Sequence, residues 1–396
     1  MRKIKKIFKI KKRHVSYSFS ELLIVTLVVS LVISSVVGFV VFKIVGNTSL
    51  LKVEATYDKI KNEYYKSFNK DELESAAIDG MMSYLNEKYS SYLKADETTN
   101  LDSKLEGSYE GIGIEISKID EKIKIVNVYE NTPASVAGLK SGDIIVKIDD
   151  IKIDASSSIE TVLSLVKDKK EINISVKRDD EEKNFKVAIK TIEKPVVTRK
   201  VFTKNGKKVG YIYLSSFTEN SANQVKTALK ELDNEKIDSL IFDVRSNTGG
   251  YLTSVTDILN MFLKKGHVLY SLEEKNKKQT YYDTTKEEYD KDVVVLIDRK
   301  TASASEILAS SLKESYGAIV VGTTSYGKGK VQNTYRLTKN TMLKYTTAKW
   351  YTPLGNSIDE VGITPGVYVT LDKNYAKNPC DDTDNQLQKA IEILTQ

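Results

Sequence analysis

The twenty residues Val293 to Leu312, VVVLIDRKTASASEILASSL, decide how this chain reads. An unbroken apolar run stops at Asp298, a short polar loop follows, and helical spacing begins within TASASE. Around this stretch the same alternation repeats. KVGYIYLSSF, DSLIFDVR and AIVVG read as strands, and SANQVKTALKEL and LTSVTDILNMFL read as helices, with SNTGG as a turn between two of them. Strands alternating with helices predict a sheet with parallel neighbours, whose chemistry gathers beyond the carboxyl ends of the strands.

Ser303 falls at or near the N-terminus of the predicted helix. With Glu306 three residues on, it also fits a capping box that needs no catalysis. The small neighbours Ala302 and Ala304, and the free N–H groups of a helix start, instead suit a nucleophile beside a developing oxyanion. A serine nucleophile needs a base, and the only histidines are His14 and His267. His14 lies in the basic tail, and His267 reads as a surface or strand-start residue. Lysine is then the expected base.

The candidate lies in GTTSYGKGKVQNTYRL. Gly322 to Lys328 spells G-x-x-x-x-G-K, the outline of a phosphate loop, but Gly329 stands where Ser or Thr would bind magnesium. The residues after it alternate like a strand. A P-loop hydrolase is therefore the weakest reading. As a base, Lys328 needs burial to lower its pKa from the usual ~10.4. Lys330 shares the predicted face, so spacing leaves it open as a second candidate.

The N-terminal part is of another kind. MRKIKKIFKIKKR holds eight of the chain's 60 Lys and Arg residues, and without them the net charge falls from +6 to −2. The basic excess is a tail rather than a patch, so nucleic acid is not expected as a partner. Leu22 to Phe42 contains no charged residue and is long enough to span a bilayer, and it exceeds an ordinary signal-peptide core. The reading is a retained single-pass anchor in a bacterial cell membrane, with the tail cytoplasmic and the catalytic part extracytoplasmic. One cysteine, Cys380, cannot form an internal disulfide, and neither a metal nor another cofactor is expected.

Residues 53 to 94 show helical spacing with a break near Asn69 and Asp71, as in a packing or dimerising helical pair. From about residue 107 the period becomes two, with a helix in SSIETVLSLVKD. EGIGIEI and TPASVAGLKSGDIIVKID resemble a PDZ domain, expected here as a small, partly open barrel. In that resemblance the backbone of Gly111, Ile112, Gly113 and Ile114 receives a terminal carboxylate.

DVRSNTGG, TASASEI and YGKGKVQ, in this order after the PDZ-like segment, resemble the carboxyl-terminal processing peptidases, Ser/Lys-dyad proteases of the S41 type. The resemblance implies Ser303 as nucleophile, Lys328 as general base and Gln332 orienting that lysine, with strand alternation placing 328 and 332 on one face. It implies Gly250 and Ala304 as the oxyanion hole, with Arg245 and Asn247 shaping the glycine loop. Protein substrates would be taken by their C-termini, and a homodimer would form through the helical region.

The expected fold class is multidomain α/β, with a transmembrane helix, a helical segment, a PDZ-like β-barrel and an α/β protease core. The expected boundaries are a basic tail at 1–20, an anchor at 21–45 and a helical region at 50–98. The PDZ domain is expected at 103–191, the protease core at 195–375 and a C-terminal tail or helix at 376–396. A catalytically inactive PDZ adaptor is the alternative from another functional class.

Overall fold

A computed structural model describes residues 18–45, 50–286 and 288–396; the basic segment Met1–Arg13 and His14 lie outside the described residues. The chain divides into two units, Met1–Ile78 and Asp79–Gln396. In the first, the uncharged run lies within one helix, α1 (Phe19–Val45), long and apolar enough to cross a hydrocarbon core. Helix α2 (Leu51–Glu63) follows, and α3 (Lys70–Tyr84) starts beyond Asn69, whose side chain accepts the Asp71 N–H at 3.0 Å. Neither α2 nor α3 buries a residue.

The second unit starts with a departure from the sequence reading. Residues expected to be helical form β1 (Ser91–Leu93), and α4 (Ala95–Glu106) comes only after it. Next comes β2 (Ser108–Gly111), leading into the PDZ-like segment. That segment comprises β3 (Ile114–Ile119), β4 (Lys122–Val128), α5 (Pro133–Ala137), β5 (Ile144–Ile148), β6 (Ile151–Lys152), α6 (Ile159–Val166), β7 (Glu171–Arg178) and β8 (Glu181–Ala188). The chain leaves it along β9 (Lys190–Glu193), which pairs antiparallel with β2, so the incoming and outgoing strands hold each other.

The strand order is β3-β4-β5-β7-β8, with β6 on β5. Strand β8 does not pair back to β3, so the partly open barrel expected from the sequence is an unclosed sandwich around Ile123, Ile125, Ile145, Ile172 and Val176. Alternation predicts which side chains turn inward, but not which edge strands meet.

The C-terminal half contains β10 (Val197–Lys204), β11 (Lys207–Leu214), α7 (Ser221–Asn234), β12 (Ser239–Asp243), α8 (Leu252–Leu259), β13 (Val268–Glu274), β14 (Lys277–Tyr282) and β15 (Asp292–Ile297). It continues through α9 (Ala304–Ser311), β16 (Ile319–Gly322), β17 (Lys330–Arg336), β18 (Met342–Tyr351), β19 (Val367–Tyr368), α10 (Lys373–Lys377) and α11 (Asn385–Thr395). One sheet runs β10-β11-β12-β15-β16-β19, parallel from β11 onward. Its central strands are apolar without interruption because both faces are covered. Leu240, Phe242, Val293 and Val295 pack into the cluster that holds α7, α8 and α9. Ile241, Val294 and Leu296 pack on the other side, against Leu387, Ala390 and Ile391 of α11. The segment expected as a C-terminal tail or helix is thus a layer of the core. A second sheet, β1-β18-β13-β14 with β17 on β18, draws the N-terminal β1 into the same unit.

Helix α11 is also held by charge. Arg245 is bidentate to Asp243, reaches Asp384 at 2.7 Å, and donates to Gln386 at 3.0 Å. These acids pull its guanidinium above the ordinary arginine pKa despite burial. Removing one partner of a buried pair leaves the other charges uncompensated, at a cost of about 3–5 kcal/mol. Arg245→Ala is expected to lower unfolding free energy by that amount in urea titration, and Arg299→Ala, at an exposed position, by less than about 0.5 kcal/mol.

Candidate active site

Parallel strands put their carboxyl ends at one edge of the sheet, and three loops meet there. They follow β12 (residues 244–251), β15 (298–303) and β16 (323–329). Asn247 joins the first two. Its buried side chain donates to the Leu214 carbonyl at 2.8 Å and accepts the Gly249 N–H at 2.9 Å. Its carbonyl accepts the Ala302 N–H at 3.0 Å and the Ser305 hydroxyl at 2.9 Å.

Ser303 sits immediately before α9 in a backbone conformation unusual for a side-chain residue, φ 58° and ψ −120°. Such strain costs of order 1–3 kcal/mol and persists where the surroundings impose it. Gly249 supplies part of that constraint: a Cβ there would meet the Ser303 Cβ at 2.8 Å and the Ala304 nitrogen at 3.0 Å. At Gly250, φ +150°, a Cβ would lie 2.0 Å from the Phe217 carbonyl oxygen. Among the described residues, neither the Gly250 nor the Ala304 N–H donates to a protein acceptor.

Glu306 holds the remaining loop. This fully buried carboxylate accepts the Ser303 N–H at 2.8 Å and the Lys328 N–H at 2.9 Å on one oxygen. The other oxygen accepts the Gly327 N–H at 2.7 Å and the Ser325 hydroxyl at 2.6 Å. Burial pushes its pKa up while the four donors pull it down, and burial prevails. What reads in sequence as a local cap is therefore a clamp between two loops.

Lys328 is fixed on all sides through its backbone. Its carbonyl accepts the Trp350 indole N–H at 2.8 Å, and the neighbouring Gly329 N–H bonds Asp359 at 3.1 Å. The loop leads into strand β17 and not into a helix, so the phosphate-loop geometry is absent at this lysine. Among the described residues the ammonium makes no ion pair or hydrogen bond, and it lies over the ring of Tyr89, with Nζ 5.1 Å from the centroid. Burial lowers its pKa first, helped by the charge of Lys344, while Glu306 and Glu87 oppose the shift. Lys330 differs: it pairs with Glu87 at 3.5 Å and with Asp359 at 3.6 Å. The ambiguity that spacing left open is thus separated by environment.

Gln332 is not brought to Lys328 by a hydrogen bond. Its amide donates to the Thr346 hydroxyl at 3.3 Å, which in turn donates to Glu87 at 2.5 Å. The alternation expected to place 328 and 332 on one face does not reach Lys328, because β17 begins only at Lys330; the ladder's extra residue, Thr347, lies on β18 opposite the step from Val331 to Gln332. His267 is exposed just before β13, with Nδ1 3.0 Å from the Ser315 carbonyl, toward the opposite end of the helical segment from Ser303. Glu87 and Tyr89 were missed, because nothing near them in sequence marks a partner more than two hundred residues away.

In the PDZ-like segment, Gly111 ends β2 and Ile114 begins β3, with Ile112 and Gly113 between them. The N–H groups of Ile112 and Gly113 have no protein acceptor among the described residues. They border a groove of about 870 Å3 walled by Ile114, Ile116, Val162 and Val166.

An α/β core whose strand ends gather a strained serine and a half-buried lysine, behind a PDZ-like insertion, defines a class of hydrolase. Profiles of known families agree: "Peptidase family S41" matches residues 208–369, "PDZ domain" residues 111–189, and "Activating protease CtpB N-terminal domain" residues 41–98. The chain belongs to the carboxyl-terminal processing peptidases of family S41, and it is a serine-type peptidase with a PDZ domain. It is 37% identical over 355 residues to "Carboxy-terminal processing protease CtpB" of Bacillus subtilis (strain 168), covering 87% of this chain and 74% of that protein. It is 32% identical over 339 residues to the Staphylococcus aureus (strain MRSA252) protein named "Probable CtpA-like serine protease", covering 85% and 68%. Its fold is similar to that of the photosystem II D1 C-terminal processing protease, with a TM-score of 0.50, 22% identity, and coverage of 87% of this chain and 91% of that one.

The contact of Gly249 with the serine loop yields a test. Gly249→Ala is expected to keep the fold by circular dichroism but to lower kcat by about 100-fold, because the serine must yield to the added methyl group.

Proposed function

We propose that the chain is a membrane-anchored endopeptidase that takes hold of proteins by their C-termini and cleaves them with a Ser303/Lys328 dyad. The observation that carries this reading is a half-buried amine on Lys328 with no ion-pair partner among the described residues, tied through Glu306 to the strained loop of Ser303. A neutral Nζ takes the Ser303 proton as Oγ attacks the scissile carbonyl, and the Gly250 and Ala304 N–H groups receive the oxyanion. The ammonium then gives that proton to the leaving amine. Water, deprotonated by the same lysine, releases the acyl group and restores Ser303. Gln332 keeps an orienting role in this reading at one remove, through Thr346 and Glu87.

The free N–H pair at Ile112 and Gly113 would receive the substrate's carboxylate, and the apolar groove its last side chain. Helix α1 would be the anchor, with the catalytic unit outside the cytoplasm. Helices α2 and α3, which bury no residue, would pair in a homodimer.

The dyad is tested by hydrolysis of an unfolded protein. Ser303→Ala and Lys328→Ala should each abolish cleavage, and wild-type turnover by either would sink the reading. The sign of the pH dependence follows from the lysine. Its neutral form is the base, so kcat/KM should rise with pH through an ionisation below the ordinary lysine value of ~10.4. Lys344→Gln removes a nearby positive charge, raises the affinity of Lys328 for its proton, and should move that limb to higher pH. Carboxylate capture is tested with paired substrates: an amidated C-terminus should raise KM at least tenfold, whereas equal values would remove the PDZ domain from recognition.

A further inference from the structure

Residues 87–93 lie far from every catalytic motif in sequence, yet they pack against the hairpin that carries both lysines. Strand β1 pairs with β18, placing Ser91 opposite Lys344 and Leu93 opposite Met342. The Ser90 hydroxyl donates to Glu87 at 2.7 Å and accepts the Thr346 N–H at 3.0 Å, fixing the turn before the strand. The ring of the half-buried Tyr89 is thereby held with its centroid 5.1 Å from the Lys328 Nζ and 5.7 Å from the Lys330 Nζ. Glu87, two residues earlier, pairs with Lys330 and not with Lys328. On the outer side, Lys88 donates to the Tyr326 hydroxyl at 2.7 Å and sits 5.4 Å from the Tyr89 ring and 5.0 Å from the Tyr326 ring. This contact ties the segment to the Lys328 loop.

We propose that Tyr89 is a positioning residue for Lys328: its ring forms a wall of the lysine's pocket against water, while Glu87 draws the competing Lys330 aside. The catalytic part of this inference rests on the Ser303/Lys328 reading; the wall itself does not. Charged groups face Lys328 from each packed element: Glu306 from α9, Glu87 from the segment before β1, and Lys344 from β18. Lys330 from β17 shares the Tyr89 ring, and Lys88, Tyr326 and Asp359 face that ring from the remaining sides.

Two effects of the ring oppose each other. Its π face favours an ammonium. Its bulk excludes water and favours the neutral amine, and burial can move a lysine further than a single π contact. The wall therefore dominates, in agreement with the downward direction of the Lys328 pKa.

This opposition makes the proposal testable in the full chain through three substitutions. Tyr89→Ala opens the wall, so the acid limb of kcat/KM should move to higher pH. Activity should fall about tenfold near neutrality and recover on the high-pH plateau, a tenfold loss corresponding to one pH unit. Tyr89→Phe keeps wall and π face and should restore the wild-type limb. Tyr89→Leu keeps an apolar wall without the π face, so its limb should lie at or below the wild-type position. An Ala limb that stays in place, an Ala loss that persists on the plateau, or a Leu limb that rises with that of Ala would each overturn the proposal.

A second measurement removes turnover from the question. In a Ser303→Ala background, the 13Cε resonance of Lys328 reports its ionisation directly, and Tyr89→Ala should raise the midpoint. An unmoved midpoint overturns the wall even where the dyad stands. A raised midpoint together with full activity of Lys328→Ala would instead overturn the dyad and leave the wall intact.

Discussion

The carboxylate of Glu306 is the constraint on which the site depends. Four donors from two loops converge on it, three of them backbone N–H groups that would otherwise be buried without acceptors. An unmade hydrogen bond in such a place costs more than a made one contributes, so the clamp acts mainly by excluding other loop arrangements. Glutamine is a poor substitute, because its NH2 would confront donors where only an acceptor serves. One buried acid thus sets the distance between two loops and the conformation of each.

The sheet makes that convergence affordable. Parallel pairing from β11 to β19 places successive strand ends on one edge, so the glycine turn, the serine loop and the lysine loop need only short excursions to meet. Packing on both faces keeps the edge rigid, with α7 to α9 on one side and α11 on the other. Arg245 extends the effect by linking the end of β12 to the start of α11 through two acids. The layer that supports the sheet is thereby pinned next to the chemistry it supports.

Much of this was legible in the residues. Buried strands such as VVVLI announce themselves because no alternation interrupts them, and the polar loop before α9 makes Ser303 conspicuous. Local patterns carry no information about distant partners, and the misses share that cause. The choice between Lys328 and Lys330 depends on Glu87, 243 residues from Lys330. The three residues of β1 are too short to show a period of their own inside a helical context. How far the PDZ-like barrel stays open depends on whether β3 meets β8, which inward-facing positions do not specify. Gln332 was assigned to the face of Lys328 by counting in twos, and that count does not apply to Lys328 because it lies in the loop before β17.

The pairing of β1 with β18 also orders events in time. The Ser90–Thr346 contact spans 256 residues, and the whole PDZ domain lies between its two partners. A chain made from its N-terminus has Glu87 and Tyr89 in hand long before the hairpin that receives them, while the PDZ domain can fold in the interval. Pairings of such separation form late. The lysine's pocket is therefore among the last features to close, and a chain cut short before β18 would have the PDZ groove without the completed pocket.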